Sequence, residues 1–289
     1  MDNYGFYTGK SFDAYEFFGC HTDENGAVFR VFAPAAVRIS VIGEFNGWQD
    51  TPMNKIGDGN FWAVYIEGVK PGQMYKYKIY KPDGSCMDHC DPYGYGMELR
   101  PASASIVRNL YGYEFQDDAW MKKRSNGVAS ALNIYEIHAG SWKKPQNGWY
   151  RYDELAMQLV PYLKEYGYNY IELLPIGEHP CDESWGYQCS GFYSPTSRYG
   201  TLDDYKKMID ILHHNDIGVI MDFVPVHFAV DAYALAKFDG TALYEYPHKD
   251  VGNSEWGSCN FMHSRGEVRS FLQSCANYWL KEYHVDGLR

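Results

Sequence analysis

Ile217-Gly218-Val219-Ile220-Met221-Asp222-Phe223-Val224 is an apolar run of strand length, closed by Pro225 and carrying one carboxylate near its end. Apolar on both faces, it reads as a strand enclosed in a parallel sheet. Upstream, Asn133-Ile134-Tyr135-Glu136-Ile137 and the run from Tyr170 to Leu174 read as two earlier strands. Asp286-Gly287-Leu288-Arg289 reads as the opening of a fourth. The intervals carry helical spacing. Tyr152, Leu155, Ala156, Leu159, Val160 and Leu163 mark one helix, with Pro161 expected to kink it. Tyr205, Met208, Ile209 and Leu212 mark a second, with Thr201 as N-cap and Asp203 and Asp204 in its first turn. Val268, Phe271, Leu272, Cys275, Ala276, Trp279 and Leu280 mark a third. Strand–helix alternation predicts a parallel α/β fold. The longest connections, 175–200 and 225–265, follow the second and third strands, the ends where such folds put their chemistry. The pattern alone leaves a doubly wound sheet and a barrel open. A closed (β/α)₈ barrel takes about 250 residues, so a barrel over 132–289 would be only its first half.

The first third alternates with a period of two. Val28-Phe29-Arg30-Val31-Phe32 is followed by Val37 to Ile42, with Val37, Ile39 and Val41 on one face. Residues 61–66 and 74–80 continue the pattern, the latter setting Tyr75, Tyr77 and Ile79 opposite Lys76 and Lys78. Turn signals at Gly57-Asp58-Gly59, Pro71-Gly72 and Pro82-Asp83-Gly84 separate them. Short strands at this spacing predict a β-sandwich. Residues 91–108 read as irregular and 111–130 as a polar connector. The expected division is therefore a β-sandwich over 1–112, a linker over 113–131, and the incomplete barrel over 132–289.

The composition of the 289 residues narrows the function. A net charge of −11 argues against nucleic acid and against an anionic membrane face, both of which need clustered Lys and Arg. No apolar run reaches the roughly 18 residues of a membrane span. Met1-Asp2-Asn3-Tyr4-Gly5 lacks a basic and apolar leader, so no signal peptide is expected. Seven cysteines without a dense framework read as reduced thiols, hence a cytoplasmic protein. Aromatic residues reach 17%, with 27 Tyr and 8 Trp. Their flat rings suit sugar C–H faces, although most must simply be core.

Several segments taken together resemble glycogen branching enzymes of the α-amylase superfamily. Tyr135-Glu136-Ile137-His138-Ala139-Gly140-Ser141-Trp142 looks like that family's first barrel strand. Trp185-Gly186-Tyr187-Gln188, running on to Tyr193-Ser194-Pro195-Thr196-Ser197-Arg198-Tyr199-Gly200, resembles its loop after strand two. Asp222-Phe223-Val224-Pro225-Val226-His227-Phe228 resembles the first signature region of the superfamily, and Asp286-Gly287-Leu288-Arg289 the start of the second. Phe29-Arg30-Val31-Phe32-Ala33-Pro34 and Gly43-Glu44-Phe45-Asn46-Gly47-Trp48 look like the immunoglobulin-like glucan-binding module that precedes such barrels.

The resemblance implies a retaining transglycosylase that cleaves α-1,4 bonds and forms α-1,6 branches in glycogen or starch-like glucan. It implies that His227 bonds a hydroxyl of the sugar being cleaved and that Tyr187 is the platform beneath it, with Trp185 and Gln188 of the same loop also binding substrate. It also implies that Asp222 supports, and Arg289 orients, a nucleophile two residues further on. Retaining chemistry needs two carboxyl groups about 5–5.5 Å apart, and the family takes both from later strands. The chain 1–289 alone is therefore expected to be inactive. Many α-amylases have Asn before that histidine as a calcium ligand. Val226 offers no such oxygen, so no metal and no cofactor are expected. The expected partner is an α-glucan, with neither nucleic acid nor membrane. Self-association is expected through an open barrel edge. A debranching or trehalose-releasing hydrolase, and a non-catalytic glucan-binding protein, are the alternatives. Trp48 and Trp62 are candidates for glucan stacking in the sandwich, against a purely structural role. Cys86, His89 and Cys90 fall short of a zinc site, and Cys181 and Cys189 read as separate thiols.

Overall fold

Alternation in the first third becomes two facing antiparallel sheets. In the computed structural model, which describes residues 1–124 and 131–289, the chain opens with α1 (Asn3–Thr8) and then forms nine strands. These are β1 (Gly19–Thr22), β2 (Gly26–Phe32), β3 (Arg38–Gly43), β4 (Thr51–Pro52), β5 (Asn54–Ile56), β6 (Phe61–Glu67), β7 (Met74–Tyr80), β8 (Cys86–His89) and β9 (Ser105–Ile106). One sheet runs β1-β2-β6-β5 and the other β4-β3-β7-β8, with β9 also paired to β7. Phe29 and Val31 of β2, Ile39 and Val41 of β3, and Tyr75, Tyr77 and Ile79 of β7 are all buried. Val37 departs from the expected face: it lies just before β3 and is 65% exposed. The irregular stretch after β8 is anchored by Asp91, which accepts hydrogen bonds from the Tyr75 hydroxyl (2.7 Å), the Tyr77 hydroxyl (3.0 Å) and the Tyr93 N–H (2.9 Å). A buried carboxylate survives there because its oxygens are met by donors.

The second half is a parallel sheet with helical crossovers. Its elements are α2 (Asp118–Arg124), β10 (Ile134–Ile137), α3 (Tyr152–Tyr166), β11 (Tyr170–Leu173), β12 (Gly177–Glu178), β13 (Gly191–Pro195), α4 (Leu202–His214), β14 (Gly218–Met221), β15 (His227–Phe228), α5 (Lys249–Gly252), β16 (Cys259–Asn260), α6 (Gly266–Glu282) and β17 (Gly287–Leu288). The order β10-β11-β14-β17 never reverses, and every pairing is parallel. A doubly wound sheet reverses at its switch point, whereas a barrel adds each strand on the same side. The fold is thus a β-sandwich followed by the first strands of a (β/α)₈ barrel. α4 starts where its cap signals place it: the Thr201 hydroxyl accepts from the Asp204 N–H, and the Asp204 carboxylate accepts from the Thr201 N–H at 2.7 Å. Leu202, Tyr205, Met208, Ile209 and Leu212 are its buried stripe. α3 runs on through Pro161 as a single helix and stops at Gly167, whose φ of 74° suits the left-handed cap.

Two stretches depart from the expected partition. The presumed linker includes α2, whose Trp120 is buried and donates from Nε1 to Asp286 Oδ1 at 2.8 Å. The rest of that expectation, residues 125–130, lies outside the described residues. The N-terminal segment, assigned by sequence to the sandwich, packs on α6 of the barrel half. There the Ala14 N–H donates to Ser274 Oγ (3.0 Å), Ser270 Oγ to the Phe6 carbonyl (2.8 Å) and the Tyr15 hydroxyl to Glu282 Oε1 (2.8 Å). The contact needs Gly266, because a Cβ there would collide with the Tyr7 carbonyl.

Trp120 belongs to a charged clasp at the N-terminal ends of the barrel strands. His213 Nδ1 lies 2.7 Å from Asp117 Oδ2, and its Nε2 lies 3.0 Å from Asp286 Oδ2. Asp286 also accepts the Val219 N–H at 2.7 Å. Burial opposes ionisation of both carboxyls, yet hydrogen bonds from His213, joined at Asp117 by His284, hold them below the usual range. A depressed carboxyl stabilises the fold above its ordinary range, and that stability is lost as pH falls through the depressed value. The thermal midpoint should therefore drop steeply below about pH 4. Asp286→Asn should be less stable at neutral pH and should flatten that acid limb. An acid limb unaltered in the variant would exclude the clasp as its cause.

Candidate active site

The long connections after β11 and β14 meet over the C-terminal ends of those strands. They enclose a cavity of about 520 Å³ lined by Glu183, Ser184, Tyr187, Gln188, His227 and Trp256. Tyr187, Gln188 and His227, expected from the sequence, thus share one cleft. The Tyr187 hydroxyl donates to Asp222 Oδ2 at 2.6 Å, and Arg289 Nη1 donates to the same oxygen at 2.7 Å. Asp222 is buried directly beyond β14, so it links cleft wall to strand end. Burial, and then the bond to Asp222, push the Tyr187 hydroxyl up to about 12, so it remains a donor at neutral pH.

His227 opens β15, and its Nδ1 is 2.7 Å from the Ser258 hydroxyl. Burial pushes the imidazole pKa down, favouring the neutral ring. Ser258 occupies Nδ1, so Nε2 is the nitrogen left for a ligand. Trp256 stacks at 6.2 Å on that imidazole and stays 67% exposed, an open aromatic face at the cleft rim. Its carbonyl accepts from Gln188 Nε2 at 3.0 Å, tying the two loops together.

Trp185 is not part of the cleft lining. It adopts a left-handed φ of 54°, is 54% exposed and stacks on His138 at 5.9 Å. In the sandwich, Trp48 is exposed, whereas Trp62 is 4% exposed with Nε1 bonded to the Ala33 carbonyl. Trp62 is core, which removes it as a stacking candidate. His89 is buried with Nδ1 against the Ala234 carbonyl, Cys86 is exposed and Cys90 is buried. Among the described residues no cluster of His, Cys, Asp and Glu is placed to hold a metal ion. Cys181 is exposed and Cys189 buried, both as free thiols.

Trp256, Ser258, Glu183 and Ser184 escaped the sequence reading. So did the barrel-interior pair Glu136 and Glu172, which sit in register on β10 and β11. Arg289 Nε lies 3.2 Å from Glu172 Oε1. Burial, with Glu136 next to it, raises the Glu172 pKa against the pull of Arg289. A carboxylate at the same position of two strands, Tyr135-Glu136-Ile137 and Ile171-Glu172-Leu173, was the available signal.

The family profile "Carbohydrate-binding module 48 (Isoamylase N-terminal domain)" matches residues 17–94, and "Alpha amylase, catalytic domain" matches 156–250. The 1,4-alpha-glucan branching enzyme GlgB of Fusobacterium nucleatum subsp. nucleatum is 45% identical over 100% of this chain. Those of Nitrosospira multiformis and Bacillus caldolyticus are 47% and 45% identical, again over 100% of the chain. The chain is thus similar over its whole length to part of these branching enzymes. It spans 48%, 40% and 45% of the length of these three relatives, about half or less of each. Among solved structures, a Salmonella typhimurium protein described as an alpha amylase superposes with a TM-score of 0.77 at 26% identity. That match covers 94% of this chain and 43% of the other. Pullulanase from Bacillus acidopullulyticus gives a TM-score of 0.74 at 22% identity, covering 94% of this chain and 37% of that one, a likeness of fold. No helix among the described residues is long and apolar enough to cross a membrane.

Proposed function

We propose that the cleft between Tyr187, His227 and Trp256 binds an α-1,4-glucan. We propose further that the protein to which this chain belongs is a 1,4-α-glucan branching enzyme. The observation that supports this most is that Tyr187, whose hydroxyl donates to the strand-end carboxylate of Asp222, lines the same cavity as His227 and Trp256. In this reading Tyr187 and Trp256 offer ring faces to the sugars, and His227 Nε2 donates to a hydroxyl at the bond being broken. Such a donor strengthens as an oxocarbenium-like transition state develops. Asp222 fixes Tyr187 and Arg289, so the attacking carboxylate of the complete site would meet a preset wall. Transfer to a 6-hydroxyl then yields an α-1,6 branch. Trp48, exposed on the sandwich, is a second glucan contact in this proposal. The free thiols support a reducing, cytoplasmic setting.

The test is incubation of the full-length protein with linear amylose. New α-1,6 linkages, released as short chains by a debranching enzyme without growth in reducing ends beforehand, are the expected result. Reducing ends appearing without branches would replace the proposal with hydrolysis.

A further inference from the structure

We infer that Arg100, a residue of the sandwich half, is a positioning residue for the sugar cleft, an inference that rests on the glucan reading of that cleft. Its guanidinium forks onto Asp182: Nε donates to Oδ1 at 2.7 Å and Nη2 donates to Oδ2. A planar fork on a carboxylate fixes orientation as well as distance. Asp182 opens the turn Asp182–Ser184, and the next residues build the cleft wall. The Ser184 carbonyl accepts the Tyr187 N–H at 2.9 Å, so the turn sets the height of the Tyr187 ring. Between them Trp185 and Gly186 hold left-handed backbone, and a Cβ on Gly186 would collide with the Pro175 carbonyl. The loop therefore has little freedom once Asp182 is placed.

Asp182 is held from the barrel side as well. Arg198, whose side chain is 2% exposed, donates to Asp182 Oδ1 from Nε (2.9 Å) and Nη2 (2.6 Å) and to Glu178 Oε1 from Nη1 (2.7 Å). Hydrogen bonds from Arg100, with Arg198 adding, hold the Asp182 carboxyl far below the usual range. Arg198 is the fixed post, and Arg100 is the brace that the sandwich contributes. A second strut lies alongside, where Ser197 Oγ donates to the Met97 carbonyl. The Arg100 and Asp182 side chains are each 37% exposed, and exposed ion pairs contribute little to global stability. What the pair fixes is the local pose of residues 183–188.

The experiment compares the unaltered full-length protein with Arg100→Met and Arg100→Lys. It uses amide hydrogen exchange over residues 183–188, calorimetric binding of maltoheptaose, steady-state kinetics on amylose and the thermal midpoint. Arg100→Met should speed exchange across 183–188 and weaken maltoheptaose binding and KM by about tenfold, with kcat nearly unchanged. Arg100→Lys, which keeps the charge but loses the fork, should fall between. A lowered thermal midpoint with unaltered exchange and affinity would make the pair mere glue between the halves and overturn the inference. Failure of the unaltered protein to bind maltoheptaose would instead sink the glucan reading, and the inference with it. The lysine variant answers the same question if the methionine variant does not fold.

Discussion

Replacing His227 with alanine should lower turnover on α-1,4-glucan by about 100-fold. The thermal midpoint should stay close to that of the unaltered protein. The imidazole sits at the rim of the β14 connection, bonded to Ser258 and stacked on Trp256, and bears no buried charge that its loss would strand. The effect should fall on kcat, because a hydrogen bond that tightens as the glycosidic bond breaks is lost at the transition state. Burial lowers the pKa of His227, so the ring is already neutral at pH 7 and should add no step to the rate between pH 7 and 8. Ser258→Ala, which frees Nδ1 and loosens the tautomer, should give a smaller loss in the same parameter. An unchanged kcat in the alanine variant would remove His227 from the reaction.

Arg198→Met should destabilise the fold by about 3–5 kcal/mol. Glu178 is 3% exposed and accepts from Arg198 Nη1 (2.7 Å), the Ser197 N–H (2.8 Å) and Thr196 Oγ1 (3.0 Å). Burial already raises the Glu178 pKa, with those donors acting against it. Without the guanidinium the carboxylate is a buried charge short of its cation, and it should take up a proton. The folded pKa then rises further above the unfolded one. Stability is retained below the ordinary glutamate range and lost as pH rises through the folded value. Urea unfolding should accordingly find the variant closer to the unaltered protein at acid pH than at pH 7. Adding Glu178→Gln should restore part of the loss, since the two side chains share one network. A loss below about 1 kcal/mol would rank the pair with ordinary surface bridges.

The strands of the barrel half were legible because their apolar runs are flanked by caps and turns that agree with them. Thr201 and the Asp203-Asp204 first turn are the clearest case, a local hydrogen-bond exchange written in consecutive residues. β8 was not legible: Cys86, Asp88 and His89 have no strand preference, and pairing with β7 holds them. Trp48 and Trp62 carried the same chemical cue, yet only the fold separates an exposed ring from one locked to the Ala33 carbonyl. The cleft was half readable. Tyr187, Gln188 and His227 stand in recognisable company, while Trp256 and Ser258 sit in a connection without periodicity. The Arg100–Asp182 fork joins residues 82 apart, and no local pattern encodes a contact made when two halves dock.

The clasp of Asp117, His213 and Asp286 and the cleft of Tyr187 and His227 occupy opposite ends of the same strands. The acid sensitivity of the clasp and the sugar contacts of the cleft therefore answer to separate sets of residues, with rigid strands between them. A lineage moving to more acidic surroundings could retune the first set without touching the sugar. One facing a new glucan could rebuild the loops of the second on an unaltered base.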